Sequence, residues 1–597
     1  MCGIVGIISK KNVTERIYES LSRLEYRGYD SAGIAVVNGA IDRRRTEGKL
    51  AELKKELALK PLNGNVGIGH TRWATHGLPI TKNAHPHSTT KVSVVHNGII
   101  ENFLELRKEL EKKSYKFTSQ TDTEVIPVLI TYYLDSGKKP FDAFKAALAR
   151  LEGAYAIAVI FADKPDVLMA ARLGSPLAIG YGKTEMFVAS DAIALAPLTQ
   201  KICYLEDGDF AEVTLAGAKI YNAKGKPAKR EIKNSGVSGK SVGKGNYKHF
   251  MLKEIFEQPT AVAETLNAYY DPIGHKINLP KAKFNLSKIP KIQIVACGTS
   301  YYAGMVAKYW IESIARIPVD VDVASEFRYR QPVYTKGGLT LLISQSGETA
   351  DTLAALRHAK ANKQYIAAIV NVQGSSIARE SDFIIPTLAG PEIGVASTKA
   401  FMAQLTCLAA LAVALGGNKP EYMTALADAP AKIAKVLNEK QYEPIAKILA
   451  KAKTILYIGR GTSFPIALEG ALKLKELSYI HAEGYGAGEL KHGPIALIDK
   501  NVPIIVIAPE DEYFAKTASN VREVAARGGK VIVISTKKGC AELADVTYKA
   551  VVMPQVSDFI TPLIYSVPVQ LLAYQTALIL KRDVDQPRNL AKSVTVE

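Results

Sequence analysis

Ile292-Gln-Ile-Val-Ala-Cys-Gly-Thr-Ser300 and Thr454-Ile-Leu-Tyr-Ile-Gly-Arg-Gly-Thr-Ser463 are two versions of one phrase. Each is a short apolar run ended by glycine and hydroxyl residues, which reads as a buried strand turning into a helix. The likeness continues downstream. Thr340–Ser344 and Pro503–Ala508 supply the next strand of each copy, and Ile366–Val370 and Val531–Ser535 a third. The third strands lead to Ile377-Ala-Arg-Glu-Ser-Asp382 and Ala541-Glu-Leu-Ala-Asp545. Strands alternating with helices predict parallel sheets covered by helices on both faces. The C-terminal half is therefore expected to hold two doubly wound subdomains, 285–425 and 450–580, followed by a tail, 581–597.

Upstream the pattern is different, though the chain as a whole reads as α/β. Ile4–Ile8, Gly33–Val37, Val92–Val95, Tyr155–Ile160 and Leu177–Ile179 read as strands, and Thr14–Arg23, Phe103–Lys112 and Asp122–Tyr133 as helices. This N-terminal domain is placed at 1–233. Gly, Ser and Lys dominate 234–246, the composition of a linker. Residues 247–284 are expected to be a helical connector.

The 597 residues carry a formal net charge of +18. No arginine-rich run with interleaved aromatics accompanies it, so a lysine-rich solvated surface is expected and nucleic acid is not. The cysteines, Cys2, Cys203, Cys297, Cys407 and Cys540, are odd in number and fit neither a disulfide framework nor a zinc site. They point to a reducing compartment and no metal. The start Met-Cys-Gly-Ile-Val-Gly has no basic segment before its apolar stretch, unlike a signal peptide. Ala400–Leu415 is short for a span of about 20 residues and contains Gln404 and Thr406, so a buried helix is expected. A cytoplasmic protein with no membrane partner follows as the expectation.

Cys2 becomes interesting through its context. Removal of Met1 would free an α-amine with a pKa near 8, able to act as base for the residue's own thiol. Gly69-His-Thr-Arg-Trp-Ala-Thr-His-Gly77 concentrates Arg72, Trp73, hydroxyls and imidazoles in one loop. Val95-His-Asn-Gly-Ile99 is expected to follow a strand with an Asn-Gly turn. There the Asn97 amide and the Gly98 N–H could converge on one oxygen, as an oxyanion hole requires. Asp122, in Gln120-Thr-Asp-Thr-Glu124, reads in isolation as a helix cap.

These motifs, with Tyr26-Arg-Gly-Tyr-Asp-Ser-Ala-Gly33, resemble the glutaminase domain of the N-terminal-nucleophile amidotransferases, whose fold is an αββα sandwich. The resemblance covers about 1–235. It implies that Cys2 attacks the glutamine amide while Asn97 and Gly98 hold the oxyanion. It also implies that Arg72 pairs with the substrate carboxylate and Asp122 with its ammonium. Trp73, Thr75, His76 and His85 would shape the pocket.

In the C-terminal half, Ser344-Gln-Ser-Gly-Glu-Thr349 lies between a strand and a helix. Hydroxyls, a small glycine and backbone N–H groups at a helix N-terminus make an anion cradle. It is neither a Walker loop nor a dinucleotide fingerprint, which favours a small sugar phosphate. A plain cap by Ser346 is the competing reading. The second copy has Ala508-Pro-Glu-Asp-Glu512 at the matching position, acidic and repellent to phosphate. It carries instead Lys473 and Glu476, three apart on one helical face.

Cys297-Gly-Thr-Ser300, Ser344–Thr349, Glu392-Ile-Gly-Val-Ala-Ser-Thr-Lys399, Lys473–Glu476, His492 and Asp585-Gln-Pro-Arg-Asn-Leu-Ala-Lys592 resemble the sugar isomerase halves of the glutamine–fructose-6-phosphate aminotransferases. By that resemblance Ser344, Gln345, Ser346 and Thr349 hold phosphate, and Ser300, Val395, Ser397 and Ala591 meet sugar hydroxyls. His492, from the partner of a homodimer, assists ring opening. Lys592 forms a Schiff base, Glu476 moves a proton between C1 and C2, and Lys473 supports it. No cofactor is implied. A phosphoribosyl amidotransferase would need a diphosphate loop rich in paired acids, and an asparagine-synthetase-like enzyme a Ser-Gly-Gly loop. Neither is found. A sugar-phosphate sensor would need none of Cys2, Glu476, His492 and Lys592.

Overall fold

The computed structural model describes residues 2–235 and 243–595. The middle of the expected linker, 236–242, lies outside them. The chain divides into two compact units, Met1–Gly243 with Ala591–Glu597, and Lys244–Leu590. The expected tail is thus shared between them.

The first unit is built on two antiparallel sheets, of eight and six strands. Period-two alternation explains how they stack. In Gly3–Ile8, Ile4 and Ile8 join the core between the sheets, and Val5 and Ile7 face the helices Thr14–Ser22 and Leu50–Leu59. In Gly153–Phe161, Ala156, Ala158 and Ile160 enter the same central core. Tyr155, Ile157, Val159 and Phe161 meet the helices Phe103–Lys112, Val125–Asp135 and Pro140–Leu148. Strands apolar on both faces give an αββα sandwich.

Two sequence readings need correction here. Asn97 and Gly98 do not form a turn: they lie within the strand Val92–Ile100, paired to Gly153–Phe161. Gly98 takes φ +134°, a value that L side chains avoid, and a Cβ there would fall 1.9 Å from the Ala154 carbonyl oxygen. Asp122 does not cap a helix. The helix starts at Val125, and the Asp122 carboxylate accepts from the Ile100 N–H at 2.8 Å.

The second unit contains two five-stranded parallel sheets of identical order. One runs Val319–Val323, Ile292–Ala296, Leu339–Ser344, Tyr365–Val370, Phe383–Pro386. The other runs His481–Gly486, Thr454–Gly459, Pro503–Ile507, Lys530–Thr536, Lys549–Met553. Ile292, Ile294, Leu341, Ile343, Ile455, Tyr457 and Ile505 share one continuous core that joins the sheets. The helices Lys399–Leu415 and Thr561–Ile579 run through it. Lys399–Leu415 is the buried helix expected from Ala400–Leu415. The segment Asp558–Ile579 has the length and composition to cross a membrane, yet 83% of its most apolar window is packed against protein. Residues 247–284 contain two helices, Phe250–Phe256 and Gln258–Asn267, and also a small hairpin, Tyr270–Asp271 with Lys276–Ile277.

In each sheet the strand order reverses direction between the first strand and the third. In open α/β sheets the crevice at this switch point, outside the carboxyl ends of the strands, is where ligands bind. Cys297–Ser300 and Ser344–Thr349 lie at those two ends in the first sheet.

Candidate active sites

In the first unit, strand pairing sets Gly3 opposite Thr71, so Cys2 emerges beside Arg72 and Trp73. The Trp73 N–H donates to Cys2 Sγ at 3.2 Å. Asn97 Nδ2 and Arg27 Nη1 donate to the Cys2 carbonyl at 3.2 and 3.4 Å. Burial pushes the Cys2 thiol up, opposed by the Trp73 hydrogen bond and the Arg72 charge. A thiol held in that form needs a base before it can attack.

Arg72 is 3% exposed. It bonds the carbonyls of His76, Gly77 and Leu78 and lies 4.0 Å from Asp30. Asp30 in turn accepts from the Ala74 N–H at 2.6 Å, which holds the loop. Burial lowers the Arg72 pKa, while Asp30, Cys2 and Asp122 raise it. Arg72 and Asp122 are both buried, and the Asp122 carboxylate is close enough to act on the Arg72 charge. Trp73 and His76 are half-buried and Thr75 is exposed. His85 is buried, its ring stacked on His70 at 4.2 Å. His96, the other histidine of the motif, is held by Thr123 at 2.8 Å. Arg27, Asp30 and His70 sit within the quoted motifs, but nothing in their spacing signals these contacts.

In the second unit, Ser344 Oγ accepts from the Gly347 N–H at 3.0 Å and lies 3.0 Å from Thr349 Oγ1. Ser346 Oγ accepts from the Glu348 N–H at 3.2 Å. Thr349 occupies the cap position of the helix Ala350–Ala361 without a side-chain cap bond, so the Ser346-cap reading is not what forms. The loop folds around Gly347, φ +63°, where a Cβ would meet Ser375 Oγ at 1.9 Å. Gln345 is half-buried beside it. Ser300 lies in the first turn of the helix Gly298–Trp310. Its neighbour Thr299 donates to Glu469 at 3.3 Å.

Glu469 belongs to the helix Ser463–Ser478, which also carries Lys473 and Glu476. Lys473 Nζ lies 2.6 Å from Glu476 and 3.5 Å from Glu469. Lys473 and Glu469 are 1% and 0% exposed. The Lys473–Glu476 pair is therefore buried at its lysine end, not a solvated surface pair. Burial raises Glu469 to about 8 against the pull of Lys473. Burial disfavours the Lys473 charge, but Glu469 and Glu476 raise its pKa overall. Ser397 donates to the buried Glu392 at 3.1 Å. The Val395 N–H donates to the Asp585 carbonyl at 3.0 Å, tying that loop to the tail.

His492 is exposed, at the end of the short turn Ala487–His492. Ala591 and Lys592 are half-buried and belong to the first unit. One chain thus brings together Cys2, Arg72, Trp73 and Asn97, and in the second unit Thr299, beside Ser300, meets the helix of Lys473 and Glu476 through Glu469. In the second unit, Glu469 is a residue that sequence reading missed. It lies four before Lys473, a spacing that could have revealed it.

These arrangements define a glutamine amidotransferase joined to a pair of sugar isomerase (SIS) domains. The glutamine amidotransferase domain family matches residues 70–197, and the SIS domain family matches 285–414 and 448–580. The chain is 56% identical, over the full length of both proteins, to the glutamine–fructose-6-phosphate aminotransferase (isomerizing) of Zymomonas mobilis subsp. mobilis. It is 55% identical, again over both full lengths, to that of Brucella suis biovar 1. The solved C-terminal domain of glucosamine-fructose-6-phosphate aminotransferase from Francisella tularensis matches 58% of this chain and all of its own, at 45% identity and a TM-score of 0.55. The chain belongs to the glutamine–fructose-6-phosphate aminotransferase (isomerizing) family. It is an enzyme that couples glutamine hydrolysis to sugar-phosphate isomerisation.

Proposed function

We propose that Cys2, once Met1 is removed, attacks the side-chain amide carbon of glutamine. The freed α-amine takes the thiol proton and returns it to the leaving nitrogen, so ammonia departs and a thioester remains for water to hydrolyse. Asn97 Nδ2 and the Gly98 N–H hold the oxyanion. Arg72 and Asp122 fix the carboxylate and ammonium, with Trp73, Thr75, His76 and His85 around them. The observation that carries this reading is the Trp73 N–H on Cys2 Sγ with Asn97 Nδ2 on the same residue.

Fructose 6-phosphate binds with its phosphate at Ser344, Gln345, Ser346 and Thr349. Ser300, Val395, Ser397 and Ala591 meet its hydroxyls. His492 of a homodimer partner assists ring opening, and Lys592 condenses with the open ketone, releasing water. Ammonia from Cys2 displaces the lysine, and Glu476, supported by Lys473, carries a proton between C1 and C2 to give glucosamine 6-phosphate. The sequence supports a cytoplasmic enzyme with neither nucleic acid nor membrane as partner. Borohydride added with fructose 6-phosphate is expected to leave a reduced sugar adduct on Lys592, found by peptide mass spectrometry. Undiminished trapping in Lys592→Ala would overturn that assignment.

A further inference from the structure

A carboxamide has an oxygen at one end and an NH2 of nearly the same size at the other. Whichever end faces Cys2 decides whether the site donates to a negative oxygen or repels it. We propose that His70 is the positioning residue that sets the Asn97 amide: its Nε2–H donates to Asn97 Oδ1 and so turns Nδ2 toward Cys2. The inference rests on the reading of Asn97 as an oxyanion donor.

The geometry is direct. His70 Nε2 lies 2.9 Å from Asn97 Oδ1, and Asn97 Nδ2 lies 3.2 Å from the Cys2 carbonyl oxygen. The Asn97 oxygen has no hydrogen to give, so the proton in this contact belongs to the imidazole. The opposite tautomer would accept at Nε2. It would then favour the flipped amide, which presents an oxygen to the reacting centre.

The ring is held for this task. His70 is 0% exposed and sits on the strand Val66–Arg72, on the same face as Ile68, which belongs to the core between the sheets. Asn97 comes from the opposing sheet, on the same face as Val95 of that core. The His85 ring stacks on His70 at 4.2 Å with 22° between planes. His85 is fixed in turn by the His96 N–H at 3.4 Å and by the edge of His87 at 4.8 Å. Burial holds the His70 pKa down to about 3, against the Asn97 bond that raises it, so the ring stays neutral. A neutral imidazole buried between the sheets and stacked on His85 has one N–H to give, and Nε2 is the nitrogen that faces Asn97.

The test uses the full chain with Met1 removed, and four variants. His70→Met fills the space without a donor, and His70→Gln keeps an N–H at similar reach. Asn97→Ala and the double variant complete a cycle. His70→Met is expected to lower kcat for glutamine hydrolysis by about 10²-fold, the scale of losing one oxyanion donor, with KM for glutamine within about two-fold. His70→Gln should recover most of the loss. Glutamate γ-semialdehyde, which forms a tetrahedral adduct on the thiol, should bind His70→Met more weakly by the same factor. Alkylation of Cys2 by iodoacetamide, which forms no oxyanion, should be unchanged. The double variant should be no slower than Asn97→Ala. Normal kcat in His70→Met, equal loss in His70→Met and His70→Gln, or losses that multiply in the double variant would overturn the inference. If His70→Met does not fold, full activity loss in a folded His70→Gln has the same force. Normal hydrolysis by Asn97→Ala would instead remove the oxyanion reading on which the inference stands.

Discussion

Lys473 is a buried cation between the side chains of Glu469 and Glu476, and Glu469 has no exposure at all. Taking a carboxylate out of water favours its protonated form. Glu469 therefore titrates near 8 in the folded chain, against 4.5 for an ordinary glutamic acid. The sign follows by linkage. The unfolded chain loses this proton first, so the stability that Glu469 contributes is intact below 4.5 and is lost as pH rises to about 8. Calorimetry across that window should show the Tm of the unsubstituted protein falling relative to that of Glu469→Gln. A constant difference would contradict the burial account. Glu469 shows why some of the site escapes sequence reading. Lys473 and Glu476 draw attention as a charged pair, whereas Glu469 matters through a contact with Thr299, 170 positions earlier. His70 is similar: its partner Asn97 lies across the sandwich on the other sheet. Cys2, Arg72 and Asn97 stand out in the sequence because their motifs concentrate unusual chemistry within a few residues, and the structure sets them near one another. Asp122 read as a cap because local spacing is all that a sequence window contains. One of its carboxylate oxygens instead accepts from the Ile100 N–H.

At the scale of elements, the central strands of both parallel sheets announced themselves as continuous apolar runs. The strands that were not read are Val319–Val323, Phe383–Pro386, His481–Gly486 and Lys549–Met553, the four sheet edges. An edge strand buries fewer of its residues. Val319-Asp-Val-Asp-Val323 and His481-Ala-Glu-Gly-Tyr-Gly486 accordingly carry charge and glycine, and so lack the signal. The Asn97-Gly98 turn failed for a related reason. That pair signals a hairpin when flanked by alternating residues, but here Gly98 keeps its positive φ inside a strand paired to Gly153–Phe161. The Ser344 loop gives the sharpest test at this scale. Gly347→Ala would set a Cβ 1.9 Å from Ser375 Oγ at a φ of +63°. Strain of this kind costs on the order of 1–3 kcal/mol. The expected result is a KM for fructose 6-phosphate raised by about ten-fold or more, which corresponds to ~1.4 kcal/mol, with glutamine hydrolysis unchanged. An unchanged KM would show that the loop does not hold the phosphate.

For the molecule as a whole, the repeat of the 292–300 phrase at 454–463 was enough to predict two doubly wound lobes. Their fusion through one shared core was not legible, because it depends on which faces of Lys399–Leu415 and Thr561–Ile579 meet which sheet. Each of the two units has hydrophobic cores of its own. Separate cores lead to the prediction that a single change can separate glutamine chemistry from sugar chemistry. The decisive measurement is the effect of Cys2→Ala on both, in protein from which Met1 has been removed. Glutamine-dependent glucosamine 6-phosphate formation should disappear. Interconversion of fructose 6-phosphate and glucose 6-phosphate, which needs only the isomerase site, should persist at the unsubstituted rate. Loss of both activities, or survival of glutamine use, would contradict the account.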